Sequence, residues 1–144
     1  MNSMGFGMEF KGMLKGSDFM ENFISKNPPP TEDQISGFLK VIDFNPPQDF
    51  IEFIKTSNGA GVYINESYLS IWTLDQMLDL TNKYQENEDF GLPSSYFIIG
   101  SDGGSGYYLM DKVSYIIYEI EPLDMHDEEP TFKAQNFTEL LRRG

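Results

Sequence analysis

Apolar residues recur with helical spacing in the first half of the chain and with strand spacing in the second half. Residues 31–42 place Ile35, Phe38, Leu39 and Ile42 on one helical face, which is the spacing of a helix that packs against a core. Thr31 and Gln34 have the spacing of a capping box, in which side chains bond the first free N–H groups of a helix. The pattern therefore predicts a helix that begins just after Thr31.

Four more helices are predicted from the same kinds of signal. Pro47 suits the first position of a helix, because its missing N–H would have no partner there, and Asn58-Gly59 suits the end of that helix. The pairs Thr73–Gln76 and Asn136–Glu139 again have the capping spacing. A short helix is predicted after Ser17, and three consecutive prolines end it. The apolar residues expected on the buried faces of these helices are Phe19, Met20, Phe23, Ile24, Phe50, Ile51, Phe53, Ile54, Leu74, Met77, Leu78, Tyr84, Phe137, Leu140 and Leu141.

Strands are predicted between and after these helices, near residues 62–64, 68–72, 96–100, 107–110, 115–120 and 131–133. The glycine-rich segment from Gly100 to Gly106 lies between two of them. A phosphate-binding loop would need a helix immediately after it and usually a lysine directed at the phosphates. Here the residues that follow, 107–110, are strand-like, and the next lysine is Lys112. A hairpin turn is therefore favoured over a phosphate loop.

The order of these elements predicts an α+β fold. We expect a single globular unit with a mostly antiparallel sheet of about five or six strands, helices packed on one face and a short C-terminal helix. Residues 1–30 are predicted to form an N-terminal arm with the short helix, and residues 31–144 the folded domain. Trp72 is expected in the core beside a helix start, with an exposed recognition ring as the alternative.

The net charge of −13 at pH 7 is the feature of the composition that bears most on function. An acidic surface is expected to exclude nucleic acids and anionic membranes as partners, since both bind basic surfaces. It favours a basic protein partner, whose association it would accelerate by electrostatic attraction. An acidic composition also keeps many proteins soluble, so solubility alone is the alternative explanation.

Catalytic and metal-binding chemistry is difficult to place in this sequence. The chain has no cysteine and a single histidine, His126, within the acidic segment 121–130. A solvated loop is expected there and not a metal site, because calcium loops need an internal glycine and residues 124–129 have none. No apolar run is long enough to span a bilayer, and no secretory signal is visible. We therefore expect a cytoplasmic, non-enzymatic protein without a metal or cofactor.

Several segments resemble the SUKH superfamily, and the resemblance covers residues 31–141. Residues 46–59 (Pro-Pro-Gln-Asp-Phe-Ile-Glu-Phe-Ile-Lys-Thr-Ser-Asn-Gly) resemble the family's second helix, and residues 99–104 (Ile-Gly-Ser-Asp-Gly-Gly) resemble its most recognisable turn. Residues 118–120 and the closing helix with Phe137 extend the similarity. Two features depart from the pattern: Pro46 stands where the family more often has leucine, and the first thirty residues have no counterpart.

The resemblance implies a small non-enzymatic domain whose variable surface binds a partner. Most bacterial members are inferred to be immunity proteins that neutralise polymorphic toxins, and fungal members are regulators of cell-wall synthesis. Many such toxins are nucleases, which are basic because they bind phosphate backbones. Together with the net charge, this leads to the hypothesis of an immunity protein that inactivates a basic toxin by stoichiometric binding. The alternative is a regulatory scaffold that binds host proteins.

The candidate contact surface consists of acidic loops with an aromatic centre. For each of its residues, a merely solvated loop is the competing explanation. The candidates are Glu86, Glu88, Asp89 and Phe90 in one loop, Glu121, Asp124, Asp127, Glu128 and Glu129 in a second loop, and Asp102, Tyr107 and Tyr108, which can join either.

Overall fold

A computed structural model describes residues 23–64 and 67–143, which form one antiparallel sheet and the helices packed on it. The strands are β1 (Phe23–Lys26), β2 (Ala60–Ile64), β3 (Ser67–Ile71), β4 (Tyr96–Ser101), β5 (Tyr107–Asp111), β6 (Ile117–Ile120) and β7 (Thr131–Ala134), and their order in the sheet follows the chain. The helices are α1 (Glu32–Val41), α2 (Gln48–Thr56), α3 (Leu74–Glu86) and α4 (Phe137–Arg143), with a 3₁₀ turn at Pro122–Asp124. This architecture confirms the predicted α+β class.

The helix starts confirm the capping predictions. Thr31 Oγ1 accepts from the N–H of Gln34, whose side chain accepts from the N–H of Thr31 in return. Thr73 and Gln76 make the same reciprocal pair at the start of α3. Helix α2 begins one residue later than predicted, with Pro47 as the residue before its first turn. Each cap satisfies N–H groups that would otherwise have no partner.

The prediction of a short helix after Ser17 is wrong at the C-terminal end of that helix, because residues Phe23–Lys26 are strand β1. The backbone of this segment pairs antiparallel with β2. The N–H of Asn27 then donates to Gly59 O at 3.1 Å, and the N–H of Asn58 donates to Pro28 O at 3.2 Å. Hydrogen bonds to a neighbouring strand thus prevail over a weak local preference for helix. Residues 17–22 lie outside the described residues.

Two hydrophobic clusters lie on opposite faces of the sheet, because successive strand residues point in opposite directions. The larger one joins α1, α2, α4 and the first turn of α3 to Phe97 and Met110 of the sheet. The smaller one contains Ile98 and Leu109 and is covered by α3 and the loops at 87–95 and 121–130. Trp72 is partly buried and packs against both clusters, as predicted for a core residue.

A buried carboxylate fixes the position of the C-terminal helix. Asp49 on α2 is only 6% exposed. Its Oδ2 accepts hydrogen bonds from the N–H of Thr138 at 3.0 Å and from Thr138 Oγ1 at 2.7 Å. Asp49 therefore caps the first turn of α4 from a position 89 residues away in the chain.

Candidate functional site

The glycine-rich segment between β4 and β5 is a hairpin turn held together by the side chain of Asp102. Asp102 Oδ1 accepts from the N–H groups of Gly104 at 2.8 Å and Gly106 at 3.2 Å. The N–H of Asp102 donates to Gly106 O at 3.0 Å. Strand β5 follows the turn directly, so the hairpin prediction is confirmed. One oxygen of Asp102, Oδ1, is thus bonded within the turn, and the second, Oδ2, makes contacts outside it.

That second oxygen lies beside the carboxyl group of Glu119 on β6. A Cβ atom on Gly106 would lie 2.5 Å from Asp102 Oδ2 and 2.8 Å from Glu119 Oε2. The two carboxyl groups therefore occupy the space that a side chain at position 106 would need. Only a glycine there lets them come together.

The proximity of Asp102 and Glu119 shifts the pKa values of both carboxyl groups. Burial and the hydrogen bond to Asp102 raise the pKa of Glu119, and Lys133 opposes this shift only in part. Burial also acts to raise the pKa of Asp102, but hydrogen bonds from Glu119 and from the turn N–H groups lower it below its usual value. The two pKa values are thus driven in opposite directions, so Glu119 keeps its proton to a higher pH than Asp102 and, while protonated, can donate it to the Asp102 carboxylate.

These two residues form one wall of a cavity of about 320 Å³, which we call the acidic cavity. Among the described residues, no lysine or arginine belongs to its lining. No group of three or more potential ligands within residues 23–64 and 67–143 is arranged to hold a metal ion. Carboxyl groups make up most of the polar side chains in the lining. Those that line it are Asp102, Glu119, Glu121, Asp124, Glu128 and Glu129.

The structure brings most of the second predicted loop together with Asp102 around this cavity. Asp127 is the exception: it is exposed and its Oδ1 lies 3.1 Å from Nδ1 of the neighbouring His126. Leu123, between the cavity residues Glu121 and Asp124, is also exposed to solvent. The second loop therefore presents acidic groups and an apolar side chain side by side.

The first predicted loop adjoins the second but does not line the cavity. Glu86, Glu88 and Asp89 are exposed, and Phe90 is half-buried with its ring 4.6 Å from that of Tyr84. A Cβ on Gly91 would lie 3.9 Å from the ring of His126. The two loops therefore meet at one end of the molecule. Phe90 acts mainly as a packing residue there.

The two tyrosines of β5 have different positions. Tyr107 is half-buried, with its ring 4.9 Å from that of Trp72, and burial together with the Tyr84 hydroxyl raises its pKa to about 12. Tyr108 is only 2% exposed and packs on the opposite face with the larger cluster. Neighbouring strand residues point to opposite faces, so placing Tyr108 on a contact surface was wrong.

Glu119 is the acidic residue of the cavity lining that was not among the predicted site residues. It lies in a run of strand residues between two apolar or aromatic neighbours, Tyr118 and Ile120. A charged residue in a predicted central strand is a signal of its own, since a buried carboxyl group needs a partner. Its partner Asp102 is in the turn between β4 and β5, and only the pairing of β5 with β6 brings the two residues together.

The sequence profile of the SMI1 / KNR4 family (SUKH-1) matches residues 29–143. The chain belongs to this family. The match includes helices α1–α4, the hairpin turn and the acidic loop, and it confirms the resemblance to the SUKH superfamily. No curated protein matches the chain. No helix of the described residues is both long and apolar enough to cross a membrane.

The carboxyl pair of this SUKH-1 family member should make its stability depend on pH. The pKa of Glu119 is raised in the folded state, so its contribution is complete below the unfolded pKa and is lost as pH rises through the folded pKa. An amide at this position donates to Asp102 at every pH. We therefore expect Glu119→Gln to raise Tm relative to the wild type, with a difference that grows from pH 4 to pH 8.

Thermal unfolding followed by circular dichroism across this pH range checks the expectation. Glu88→Gln is the matched control, because it makes the same chemical change at an exposed position outside the cavity. The control should track the wild type. A Tm difference for Glu119→Gln that stays constant with pH would contradict the raised pKa of Glu119.

Proposed function

We propose that this SUKH-1 family member is an immunity protein that inactivates a basic toxin domain by stoichiometric binding. The observation that carries the proposal is the acidic cavity, in which one strand, one hairpin turn and one loop place six carboxyl groups around about 320 Å³. Such a cavity suits the side chains of lysine and arginine, and a guanidinium group can bond two carboxylate oxygens at once.

The charge of the whole chain supports the same class of partner. A net charge of −13 attracts a basic protein over a long range and accelerates its association. Nucleases are basic where they bind phosphate backbones, and an acidic surface can cover such a site. The same field repels nucleic acids and anionic membranes, which are therefore not proposed as partners.

The proposal assigns no catalysis, metal or cofactor to the site. Asp102 is bound by two turn N–H groups and by Glu119, so its carboxylate serves to shape the cavity. An inhibitor of this kind acts by covering its target, and its activity is measured as binding. The cytoplasm is the proposed compartment, which suits a chain without cysteine.

The first experiment is affinity co-purification of the full chain from its native cells at low salt, with mass spectrometry of the bound proteins. A stoichiometric basic partner with a toxin or nuclease domain, released as salt rises, would support the proposal. Stoichiometric recovery of cell-envelope or housekeeping proteins would instead favour the regulatory scaffold.

With that partner purified, charge reversal should locate the interface. We expect Glu128→Lys/Glu129→Lys to lower the association rate constant by about tenfold at low salt and to flatten its salt dependence. Both residues are exposed, so the thermal stability should change little. Stopped-flow or surface-plasmon measurements at several salt concentrations provide the rates.

Asp33→Lys/Asp75→Lys is the matched control for this variant. It makes the same change in net charge at two exposed residues that line a different cavity, between α1 and α3. An equal loss of rate in both variants would mean that only total charge matters. Unchanged rates for Glu128→Lys/Glu129→Lys would remove the acidic loop from the interface.

A further inference from the structure

Three aromatic side chains form an uncovered stripe on the face of the sheet that carries the smaller cluster. Tyr96 on β4 and Tyr118 on β6 have ring centroids 5.6 Å apart. Tyr118 lies directly opposite Phe132 on the edge strand β7, so their side chains share one face. Phe132 is 59% exposed. We call Tyr96, Tyr118 and Phe132 the aromatic stripe.

An apolar pocket opens beside Tyr96 at one end of the stripe. Its volume is about 290 Å³, just below the range of roughly 300–1,000 Å³ that is typical of small-molecule sites. Buried Leu92, Ile120 and Met125 contribute to its lining, together with Pro93 and Pro130. A pocket of this size and composition suits one large apolar side chain of a protein partner.

Hydrogen bonds hold the walls of the pocket in place. The N–H of Leu92 donates to Tyr84 O at 3.1 Å. Gln85 Nε2 donates to Pro93 O at 3.2 Å and to Tyr96 O at 3.0 Å. Because α3 supplies these bonds, the loop at 87–95 is fixed before any partner binds. A preformed pocket reduces the entropic cost of binding.

Charge defines the kind of side chain that can approach the pocket. Glu128 and Glu129 line both the apolar pocket and the acidic cavity, and Ile120 is shared as well. Glu129 lies near enough to Tyr96 to contribute to the raised pKa of that phenol, after burial and other neighbours. One wall therefore separates a site for an apolar group from a site for a cation.

We propose that the apolar pocket and aromatic stripe bind a large apolar side chain of the partner that is flanked by lysine or arginine, with the flanking cation entering the acidic cavity. This rests on the proposed function insofar as the partner is a basic protein. It adds the recognition element, an apolar anchor next to a positive charge. Buried anchors of that kind contribute most of the free energy of binding at protein interfaces, while exposed charges mainly affect rates.

Three blocked tripeptides test the proposal on the full chain: Lys-Trp-Lys, Lys-Gly-Lys and Glu-Trp-Glu. The chain carries labelled methionine methyl groups, and Met125→Leu assigns the resonance of Met125. We expect Lys-Trp-Lys to shift that resonance and to bind about fivefold more tightly than Lys-Gly-Lys, because it buries additional apolar area. Glu-Trp-Glu should not bind, because Glu128 and Glu129 repel it.

Phe132→Ser should weaken the affinity for Lys-Trp-Lys by about threefold and leave the affinity for Lys-Gly-Lys unchanged. The matched control is Val113→Ser, which alters an apolar side chain that is 86% exposed on the turn between β5 and β6. This control should leave both affinities as they are in the wild type.

The outcomes separate this inference from the proposed function. Equal affinities of the two basic peptides, without a shift of the Met125 resonance, would overturn the inference. If Glu128→Lys/Glu129→Lys abolished the binding of both peptides in that case, the proposed function would stand. Failure of both basic peptides to bind would contradict the assignment of the acidic cavity as a binding site for lysine or arginine, and with it both the inference and the proposed function. A Met125 resonance that moves with protein concentration alone would assign the stripe to self-association and also overturn the inference.

Discussion

Replacing Gly100 with alanine is expected to remove a large part of the free energy of unfolding. A Cβ at this position would clash with the carbonyl oxygen of Ser70 on β3 and would lie 3.1 Å from the carbonyl carbon of Ser70 and 3.2 Å from Cα of Ile71. These are backbone atoms, so no side-chain rotation can relieve the contact. The strands would have to separate.

The location of this contact makes separation costly. Strands β3 and β4 are paired at only two positions, Ser70 with Ser101 and Ile71 with Gly100. These pairs connect β1–β3 to β4–β7 within the single sheet. We therefore expect a loss above about 4 kcal/mol, the range seen for the most damaging substitutions, out of a typical total of about 5–15 kcal/mol.

Urea unfolding followed by circular dichroism measures this effect, and Gly37→Ala is its matched control. Gly37 lies within α1, is exposed, and a Cβ there would have no heavy atom within 4 Å. The same substitution at Gly37 should therefore stabilise the protein by about 0.5–1 kcal/mol, the difference in helix preference. A Gly100→Ala protein as stable as the wild type would contradict the close strand approach.

Phe137→Ala is expected to lower the free energy of unfolding by about 3–5 kcal/mol. Phe137 is completely buried, and its ring centroid lies 5.2 Å from that of Phe50 and 5.4 Å from that of Phe53. Removing the ring leaves a cavity between α2 and α4. Asp49 holds α4 by two hydrogen bonds to Thr138, so the helix cannot easily move to fill the space.

Phe132→Ala removes the same ring from an exposed position and serves as the control for Phe137→Ala. Its cost should remain below about 1 kcal/mol, as for most surface substitutions. Urea denaturation with unchanged m values allows the two variants to be compared directly. A loss below about 2 kcal/mol for Phe137→Ala would mean that α4 contributes little to the core.

The two destabilising substitutions bear on how the interface is tested. Neither Gly100 nor Phe137 lines the acidic cavity or the apolar pocket, yet replacing either one weakens the apparent binding to the extent that it reduces the folded population. Loss of binding therefore identifies an interface residue only when stability is unchanged. Glu128, Glu129 and Phe132 meet this condition because they are exposed.

Local signals were sufficient for most of the secondary structure. The capping pairs at Thr31 and Thr73 determine where α1 and α3 begin, because the bonds that they make span only three residues. The hairpin after β4 was also predictable, since the residues after its glycines favour a strand. Composition likewise determined the sign and size of the charge, and with them the expected class of partner.

The tertiary structure alone decided which of these residues meet. Residues Phe23–Lys26 become a strand only because β2 offers backbone partners. Glu119 reaches Asp102, and Tyr108 turns inward, because of the register of β4, β5 and β6. Asp49 finds Thr138 across 89 residues. These contacts depend on the pairing of distant segments, whereas caps, turns and net charge are set by neighbouring residues and by composition.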